Sequence, residues 1–179
     1  AGTHRGRLFD APPGQGTRPI TDRAKEGIFN MLGSLGGGAG ADLLDGAVVV
    51  DLFAGSGSFG IESLSRGASR AVFVERDRQA LRVLQRNLAA LGFDDRATVI
   101  AGPVETAVGR LPMADVAFCD PPYADDPWLD LLDRLDTEWL VGHAQSPVPL
   151  TERWEELKRR DYGRARIVIA RRVVAGGEA

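Results

Sequence analysis

The sequence predicts an α/β protein built on a doubly wound, mostly parallel sheet. Short apolar runs rich in β-branched residues alternate with segments of helical periodicity, and glycines or prolines bound both kinds. Such alternation places helices on both faces of one sheet. Two apolar runs, at 48–50 and 116–119, stop at an acidic residue, Asp51 or Asp120, and a Gly-rich or Pro-rich turn follows. Ligands of parallel sheets bind beyond the carboxyl ends of the strands, so both turns are expected to face one crevice.

The composition is that of an ordinary globular domain with a sizeable core. The chain has 179 residues, of which 44% are hydrophobic and 26% charged. Residues 1–40 are expected to form an arm and a helix packed on a body of residues 41–179, within a single compact domain. No apolar run is long enough to span a membrane, so we expect a cytoplasmic monomer without membrane contact. A single cysteine excludes an internal disulfide and a multi-cysteine zinc site.

Charge is distributed unevenly along the chain. The formal net charge of −3 argues against a nucleic-acid-binding surface, because phosphate contacts normally need a basic one. Basic residues nevertheless gather near both ends and flank an acidic block at 125–138. From composition alone, ordinary solvated surface is favoured over a local RNA-facing patch. The basic residues near the start are Arg5, Arg7, Arg18, Arg23 and Lys25.

An irregular arm precedes the first predicted helix. Glycines and prolines are frequent over residues 1–20 and break any periodicity. Thr21 is a candidate N-cap for a helix from Asp22 to Leu32, where apolar residues recur at helical spacing. Gly33 ends this helix, and the glycines of 36–40 form a flexible loop.

The body alternates strands and helices. The parallel strands are predicted, approximately, at 47–52, 71–75, 98–101 and 116–119, with a short fifth strand at 140–143. Helices are predicted at 58–66, between a cap at Asp77 and a stop at Gly92, and from Trp128 to Leu135. Residues 154–160 and 166–170 flank a Tyr-Gly turn and are predicted to pair as an antiparallel hairpin.

The Gly-rich turn after the first strand is a candidate cofactor site. Gly55-Ser56-Gly57-Ser58-Phe59-Gly60 fits G-x-G-x-x-G, in which glycines permit a tight turn and a close ligand. Glu75 ends the second strand, where its carboxylate can accept both hydroxyls of a ribose. A dinucleotide fits this pattern, but Asp51 would crowd its pyrophosphate. S-adenosylmethionine, with a cationic amino-acid tail and a ribose, suits the acidic turn better; a glycine turn without ligand is the alternative.

The adenine of such a cofactor is expected between the second and third strands. Arg76 or Asp77 would lie beside it, and the residues after the third strand would flank its other edge. There the Val104 amide can donate a hydrogen bond, whereas Pro103 cannot. The candidate cofactor-binding residues are Asp51, Phe53, Ala54, Gly55, Ser56, Gly57, Glu75, Arg76, Pro103 and Val104.

Asp120-Pro121-Pro122-Tyr123 is the most informative tetrapeptide, and its four residues are the catalytic candidates. Each proline has a fixed φ and no N–H, so the turn is stiff and its carbonyls stay available as acceptors. The Asp120 carboxylate and the Pro121 carbonyl can accept both protons of an exocyclic NH₂, which directs the nitrogen lone pair toward a methyl group. Tyr123 offers a face on which a displaced base can stack, a contact of roughly 1–3 kcal/mol. The alternative is a plain Pro-rich loop.

The remaining reactive side chains receive no catalytic role. Cys119 precedes the tetrapeptide and points away from Asp120 by strand alternation, so it is predicted to belong to the core. His4 and His143 have no partner at the spacing of a metal site or a catalytic triad. No metal cofactor is therefore predicted.

Three stretches carry a family resemblance: Gly16–Asn30, Asp51–Gly60 and Asp120–Tyr123. Together they resemble the class I S-adenosylmethionine-dependent methyltransferases and, more narrowly, the bacterial RsmD-type enzymes that methylate guanine N2 in 16S ribosomal RNA. The resemblance extends over about residues 7–171. The segment 139–149 is compressed relative to that family, which indicates either a short fifth strand or missing residues.

The resemblance implies the Rossmann-like class I methyltransferase fold and direct methyl transfer from S-adenosylmethionine to an amine, with S-adenosylhomocysteine as product. The substrate would be ribosomal RNA, free or in a small-subunit assembly intermediate, with the target base splayed from its stack. Hydrogen bonds to Asp120 and the Pro121 carbonyl would favour the pyramidal nitrogen of the transition state. Flanking phosphates would be held by Arg7, Arg18, Arg23 and Lys25.

Other functions stay open at this point. A nicotinamide-dependent oxidoreductase can use the same glycine turn, and binding of S-adenosylhomocysteine rather than NADH would discriminate the two. An adenine-N6 or other nucleic-acid amino-methyltransferase can share the Asp-Pro-Pro-Tyr turn, although 179 residues leave no room for the usual target-recognition domain of the DNA enzymes. A non-catalytic ribosome-assembly factor is a third alternative, against which the two intact motifs argue.

Overall fold

A computed structural model describes residues 22–35, 42–122 and 127–174. They form one seven-stranded sheet in the order β3-β2-β1-β4-β5-β7-β6. The strands are β1 Val48–Leu52, β2 Arg70–Glu75, β3 Ala97–Ala101, β4 Ala114–Cys119, β5 Thr137–Ala144, β6 Trp154–Tyr162 and β7 Ala165–Arg172. The helices are α1 Asp22–Gly33, α2 Ser58–Ser65, α3 Arg78–Leu91, α4 Val104–Ala107 and α5 Trp128–Arg134, with 3₁₀ turns at Asp94–Arg96 and Val108–Arg110.

Strand direction divides the sheet into two parts. β1 to β5 are mutually parallel, whereas β7 runs antiparallel to both β5 and β6. The chain leaves β1 for β2 on one side and returns to β4 on the other, so the strand order reverses beside β1. The predicted doubly wound sheet with an antiparallel C-terminal hairpin is therefore confirmed, and the reversal is where such sheets bind ligands.

Helices bury both faces of the central strands, which explains why β1, β2 and β4 are mostly apolar, whereas the outer strand β6 is largely charged and exposed. On one face, α1, α2 and α3 enclose a cluster that includes Val49, Phe73 and Phe118. On the other face, α4 and α5 enclose a second cluster that includes Val50 and Cys119. Successive residues of one strand thus belong to the hydrophobic clusters on opposite faces of the sheet, as the alternation of side chains requires.

Helix α1 packs on the body through aromatic side chains. The Phe118 ring of β4 lies 5.7 Å from the Phe29 ring of α1 and stacks on the Phe59 ring of α2 at 5.1 Å between centroids. Phe29, Phe59 and Phe118 are all buried. The predicted cap at Thr21 and the predicted boundary between residues 40 and 41 lie outside the described residues.

Two predictions from sequence need correction. The fifth strand is not short: β5 has eight residues and pairs with β4 on one side and β7 on the other. Its length is fixed by these two neighbours rather than by its own pattern. Helix α4 and the 3₁₀ turn after it were not predicted, because so short a segment carries no readable period. In the described parts of the chain, no helix combines the length and apolar character needed to cross a membrane.

Candidate active site

The two turns singled out by sequence meet at one edge of the sheet. β1 and β4 are neighbours, and their register pairs Leu52 with Cys119, the last residue of each strand. The Gly-rich turn and the Asp-Pro-Pro turn therefore start side by side, as expected. Strand alternation and the buried clusters place Asp51, Glu75 and Asp120 toward the face covered by α1, α2 and α3.

The Gly-rich turn needs glycine for two separate reasons. Gly57 has φ +87°, a left-handed conformation that side chains disfavour, and a Cβ there would come within 2.4 Å of the Leu84 side chain. Gly60 has no unusual φ, but a Cβ there would lie 2.3 Å from the Phe73 ring. The third glycine therefore lets α2 approach β2. Phe53 also adopts a positive φ, of 60°, at the start of the turn.

Glu75 ties the turn to the end of β2. Its Oε2 accepts a hydrogen bond from the Gly55 amide at 2.7 Å, and its Oε1 accepts one from the Asp77 amide at 2.7 Å. Each carboxylate oxygen keeps further acceptor capacity, because an ionised carboxylate offers about four lone-pair sites. The half-buried side chain is thus fixed in place by backbone donors while still able to accept from hydroxyl groups.

Asp51 is a buried carboxyl at the base of the same turn. Its side chain is 1% exposed, and its Oδ2 accepts from the Gly60 amide at 2.8 Å. Burial raises the pKa of Asp51 to about 8; the Gly60 hydrogen bond opposes the rise, and the charges of Asp120 and Glu75 add to it. Three carboxyl groups thus share this edge of the sheet, an arrangement that favours a cationic ligand.

Asp120 has a partner that sequence reasoning missed. The Nδ1 atom of His143 lies 2.7 Å from Oδ1 of Asp120. The His143 side chain is 2% exposed and that of Asp120 is 29% exposed, so the contact links a buried side chain to a partly exposed one. The sequence shows no partner for His143 at the spacing of a metal site or a triad, and it did not predict this contact, because the two residues are 23 positions apart and meet only through strand pairing. Both follow the register pair Cys119 and Gly142, and the sequence pattern alone does not specify that pairing.

The other catalytic candidates differ in what the structure shows. Pro121 is buried and Pro122 is half-buried. Tyr123 lies outside the described residues. Cys119 is buried in the cluster on the opposite face, as predicted, and burial raises the pKa of its thiol well above the usual value. It is therefore a core residue rather than a nucleophile.

The cofactor candidates beyond the turn surround the ends of β2 and β3. The Gly102 amide donates to the Glu75 carbonyl at 2.9 Å, which joins these strand ends. Arg76 and Pro103 are exposed, whereas Val104 begins α4 and its side chain is buried. Among the described residues, no cluster of His, Cys, Asp and Glu has an arrangement that could hold a metal ion.

The predicted RNA contacts are only partly described. Arg7 and Arg18 lie outside the described residues, whereas Arg23 and Lys25 are on α1, exposed and half-buried respectively. Arg23 lines an open groove of about 520 Å³ between α1 and β6, hereafter the α1–β6 groove. The groove is lined by Arg23, Gly27, Asn30, Met31, Ser34, Arg160, Asp161 and Tyr162.

The α1–β6 groove lies toward the same edge of the sheet as the Asp-Pro-Pro turn. Arg160 of β6 pairs with Ile167 of β7, and Ile167 pairs with His143 of β5. His143 in turn contacts Asp120. Strand register thus connects the groove to the Asp-Pro-Pro turn across three neighbouring strands.

Comparisons with known proteins agree on one family. The sequence model of the family described as conserved hypothetical protein 95 matches residues 1–171. The Bacillus subtilis protein YlbH is 38% identical over 140 residues, which cover 76% of this chain and 72% of the relative. Ribosomal RNA small subunit methyltransferase D of Escherichia coli K12 is 34% identical over 80% of this chain and 69% of the relative. The Haemophilus influenzae protein of that name is 30% identical over 91% and 87%.

Solved structures show the same architecture. The Escherichia coli protein yhhF matches with a TM-score of 0.81 and 26% identity, over 96% of this chain and 95% of its own. A Thermus hypothetical protein matches with a TM-score of 0.74 and 29% identity, over 96% of each chain. The N-terminal domain of human METTL16, solved with S-adenosylhomocysteine, is 14% identical over 92% of this chain and 75% of its own, with a TM-score of 0.70; at this identity it shows the fold alone.

Proposed function

The chain belongs to the family described as conserved hypothetical protein 95, and we propose that it methylates the exocyclic N2 amine of a guanine in 16S ribosomal RNA. Relatives named ribosomal RNA small subunit methyltransferase D support this proposal. The observation that carries it is the pairing of β1 with β4, which brings an acidic glycine turn beside an Asp-Pro-Pro turn. One turn would hold the methyl donor and the other the methyl acceptor.

The acidic turn fits S-adenosylmethionine, which would supply a methyl group already activated on a sulfonium. The carboxyl groups of Asp51, Glu75 and Asp120 suit a ligand with a cationic centre. Glu75 would accept from ribose hydroxyls, because backbone amides fix its carboxylate without exhausting its acceptors. The other residues proposed to hold the cofactor are Phe53, Ala54, Gly55, Ser56, Gly57, Arg76, Pro103 and Val104.

Asp120 and the Pro121 carbonyl would bind the target amine. An aromatic amine is delocalised into its ring and is a poor nucleophile. Hydrogen bonds to both amine protons favour the pyramidal nitrogen that forms during transfer, and the rigid turn fixes their directions. After transfer, the proton would leave to Asp120 or to water. Pro122 and Tyr123 would line the site, with Tyr123 stacking on the displaced base.

Phosphates beside the target would be held by basic residues at the same edge. We propose Arg23 and Lys25 of α1 for this role, together with Arg7 and Arg18. The α1–β6 groove supports it, because Arg23 and Arg160 both line it and Tyr162 adds an aromatic surface. The proposal extends to a cytoplasmic monomer that acts on free ribosomal RNA or on an assembly intermediate of the small subunit.

The test uses purified protein, S-adenosylmethionine with a labelled methyl group, and two substrates: 16S RNA and small subunits from cells that lack the gene. Nucleosides from the product are identified by mass spectrometry. We expect N2-methylguanosine at one position. Methyladenosine in its place would support the adenine-N6 alternative, and absence of transfer to either substrate would overturn the proposal. Calorimetric titration with S-adenosylhomocysteine and with NADH tests the oxidoreductase separately.

A further inference from the structure

We propose that His143 is a positioning residue for the transfer step: it holds one oxygen of the Asp120 carboxylate so that the other oxygen meets the target amine. This inference rests on the proposed function for its catalytic consequence. The contact on which it depends is a property of the fold itself, namely an imidazole nitrogen 2.7 Å from Oδ1 of Asp120.

The His143 ring is built into the sheet. β5 lies between β4 and β7, and His143 pairs with Ile167 of β7. The side chain is 2% exposed, and the buried residues Val141 and Ile167 belong to the cluster on the face toward which alternation directs it. A ring enclosed in this way has a fixed orientation, so it can fix the orientation of the carboxylate that is hydrogen-bonded to it.

The hydrogen bond selects one tautomer. An ionised carboxylate only accepts hydrogen bonds, so the Nδ1 atom of His143 must carry the proton that it donates to Asp120. The Nε2 atom is buried and has no hydrogen-bond partner among the described residues. Nε2 is unpaired in either tautomer, whereas a proton on Nε2 would place the Nδ1 lone pair against the Asp120 carboxylate, so the contact with Asp120 favours the proton on Nδ1.

Asp120 needs such a restraint. Its charge acts on the nearby carboxyl group of Asp51, and like charges repel, which favours rotation of the Asp120 side chain away from the site. The donated N–H opposes that rotation and occupies Oδ1. Oδ2 remains available for the amine. A functional side chain is positioned best when a neighbouring residue holds it by a hydrogen bond in this way.

The tautomer is tested directly by NMR of protein labelled with ¹⁵N in its histidines. The chain has two histidines, so only two ring systems appear in a spectrum that correlates ring nitrogens with carbon-bound protons. We expect the ring proton of His143 on Nδ1. In Asp120→Ala the ring should change toward the Nε2–H form, whereas Asp130→Ala, an exposed change on α5, should leave it unaltered. An Nε2–H ring in the unmodified protein would overturn the inference.

The catalytic consequence is tested with two substitutions of the same residue. His143→Leu removes the donor, and His143→Asn keeps an N–H near the position of Nδ1. We expect kcat for RNA methylation to fall by on the order of 10–100-fold in the leucine variant, with KM for RNA and the Kd for S-adenosylhomocysteine changed less than about threefold. The asparagine variant should recover most of kcat.

These outcomes separate the inference from the function on which it rests. Equal kcat values for His143→Asn and His143→Leu, or a loss expressed in KM alone, would contradict a positioning role. Absence of methyl transfer by the unmodified protein would overturn the proposed function, while the tautomer measurement would still test the contact. If the leucine variant does not fold, the NMR comparison of the Asp120→Ala protein decides the question.

Discussion

The two turns at the binding edge are held by different kinds of bond. On the proposed cofactor side, carboxyl oxygens of Asp51 and Glu75 accept from backbone amides of the turn and its surroundings. On the proposed acceptor side, Asp120 contacts the side chain of His143, which belongs to another strand. The path of the main chain thus fixes the first pair, whereas one replaceable side chain orients the second. A substitution of His143 should therefore change the orientation of Asp120, whereas Asp51 and Glu75 keep their backbone donors.

The most direct way to test this contrast is Asp120→Ala. The variant should lose methyl transfer by about 10³-fold, because the amine loses its charged acceptor in the transition state. Binding of S-adenosylhomocysteine, measured by calorimetry, should stay within a fewfold of the unmodified protein, since the backbone-held turn is intact. Asp130→Ala serves as the control. Normal turnover in Asp120→Ala would contradict the proposed role of Asp120 in binding the target amine.

On the cofactor side, the corresponding change is Gly57→Ala. A methyl group at a φ of +87° and in contact with Leu84 should cost roughly 2–4 kcal/mol of unfolding free energy. The matched control is Gly92→Ala, where φ is +68° but no atom lies within 4 Å of the added Cβ, so only the smaller conformational cost of about 1–2 kcal/mol applies. Denaturant titration measures both. Equal costs in the two variants would mean that the turn is not tightly packed.

Asp51→Asn tests how the buried carboxyl group of the Gly-rich turn affects the pH dependence of stability. The folded-state pKa is raised from 3.8 to about 8, so between these values the folded protein binds more protons than the unfolded chain. Stability contributed by the protonated form is therefore present at acid pH and lost as pH rises toward 8, by at most about 1.4 kcal/mol per pH unit. Asn carries no titrating group, so the variant should lose this part of the pH dependence of the unfolding free energy. It should also bind S-adenosylmethionine more weakly. Thermal unfolding at several pH values tests this; an unchanged slope would contradict it.

The parts of the molecule that sequence predicted are those fixed by local pattern. The apolar strands around Val49 and Phe118 are buried on both faces, and Asp77 caps α3 by accepting from the Gln79 and Ala80 amides. The parts it missed depend on pairing between distant segments. The length of β5 is set by its two neighbours, and the contact between His143 and Asp120 is set by register. Neither leaves a period or spacing in the sequence.

The smallest expected effect is on RNA binding at the α1–β6 groove. Arg23→Glu and Arg160→Glu change the charge of the α1–β6 groove without touching either turn. Each should weaken RNA binding severalfold and reduce the salt dependence of the affinity by roughly one phosphate contact. The matched control is Arg134→Glu on α5, the helix that covers the opposite face of the sheet. Binding is measured by fluorescence anisotropy at several salt concentrations.

The comparison among the three variants identifies the surface that RNA uses. If affinity and its salt slope fall for Arg23→Glu and Arg160→Glu alone, the phosphates lie along the α1–β6 groove. If Arg134→Glu lowers them equally, the effect is one of net charge, and the groove has no special role. Because none of the three residues belongs to the two turns, S-adenosylhomocysteine should bind all three variants as it binds the unmodified protein, and a weaker affinity would show that the substitutions disturb the fold instead.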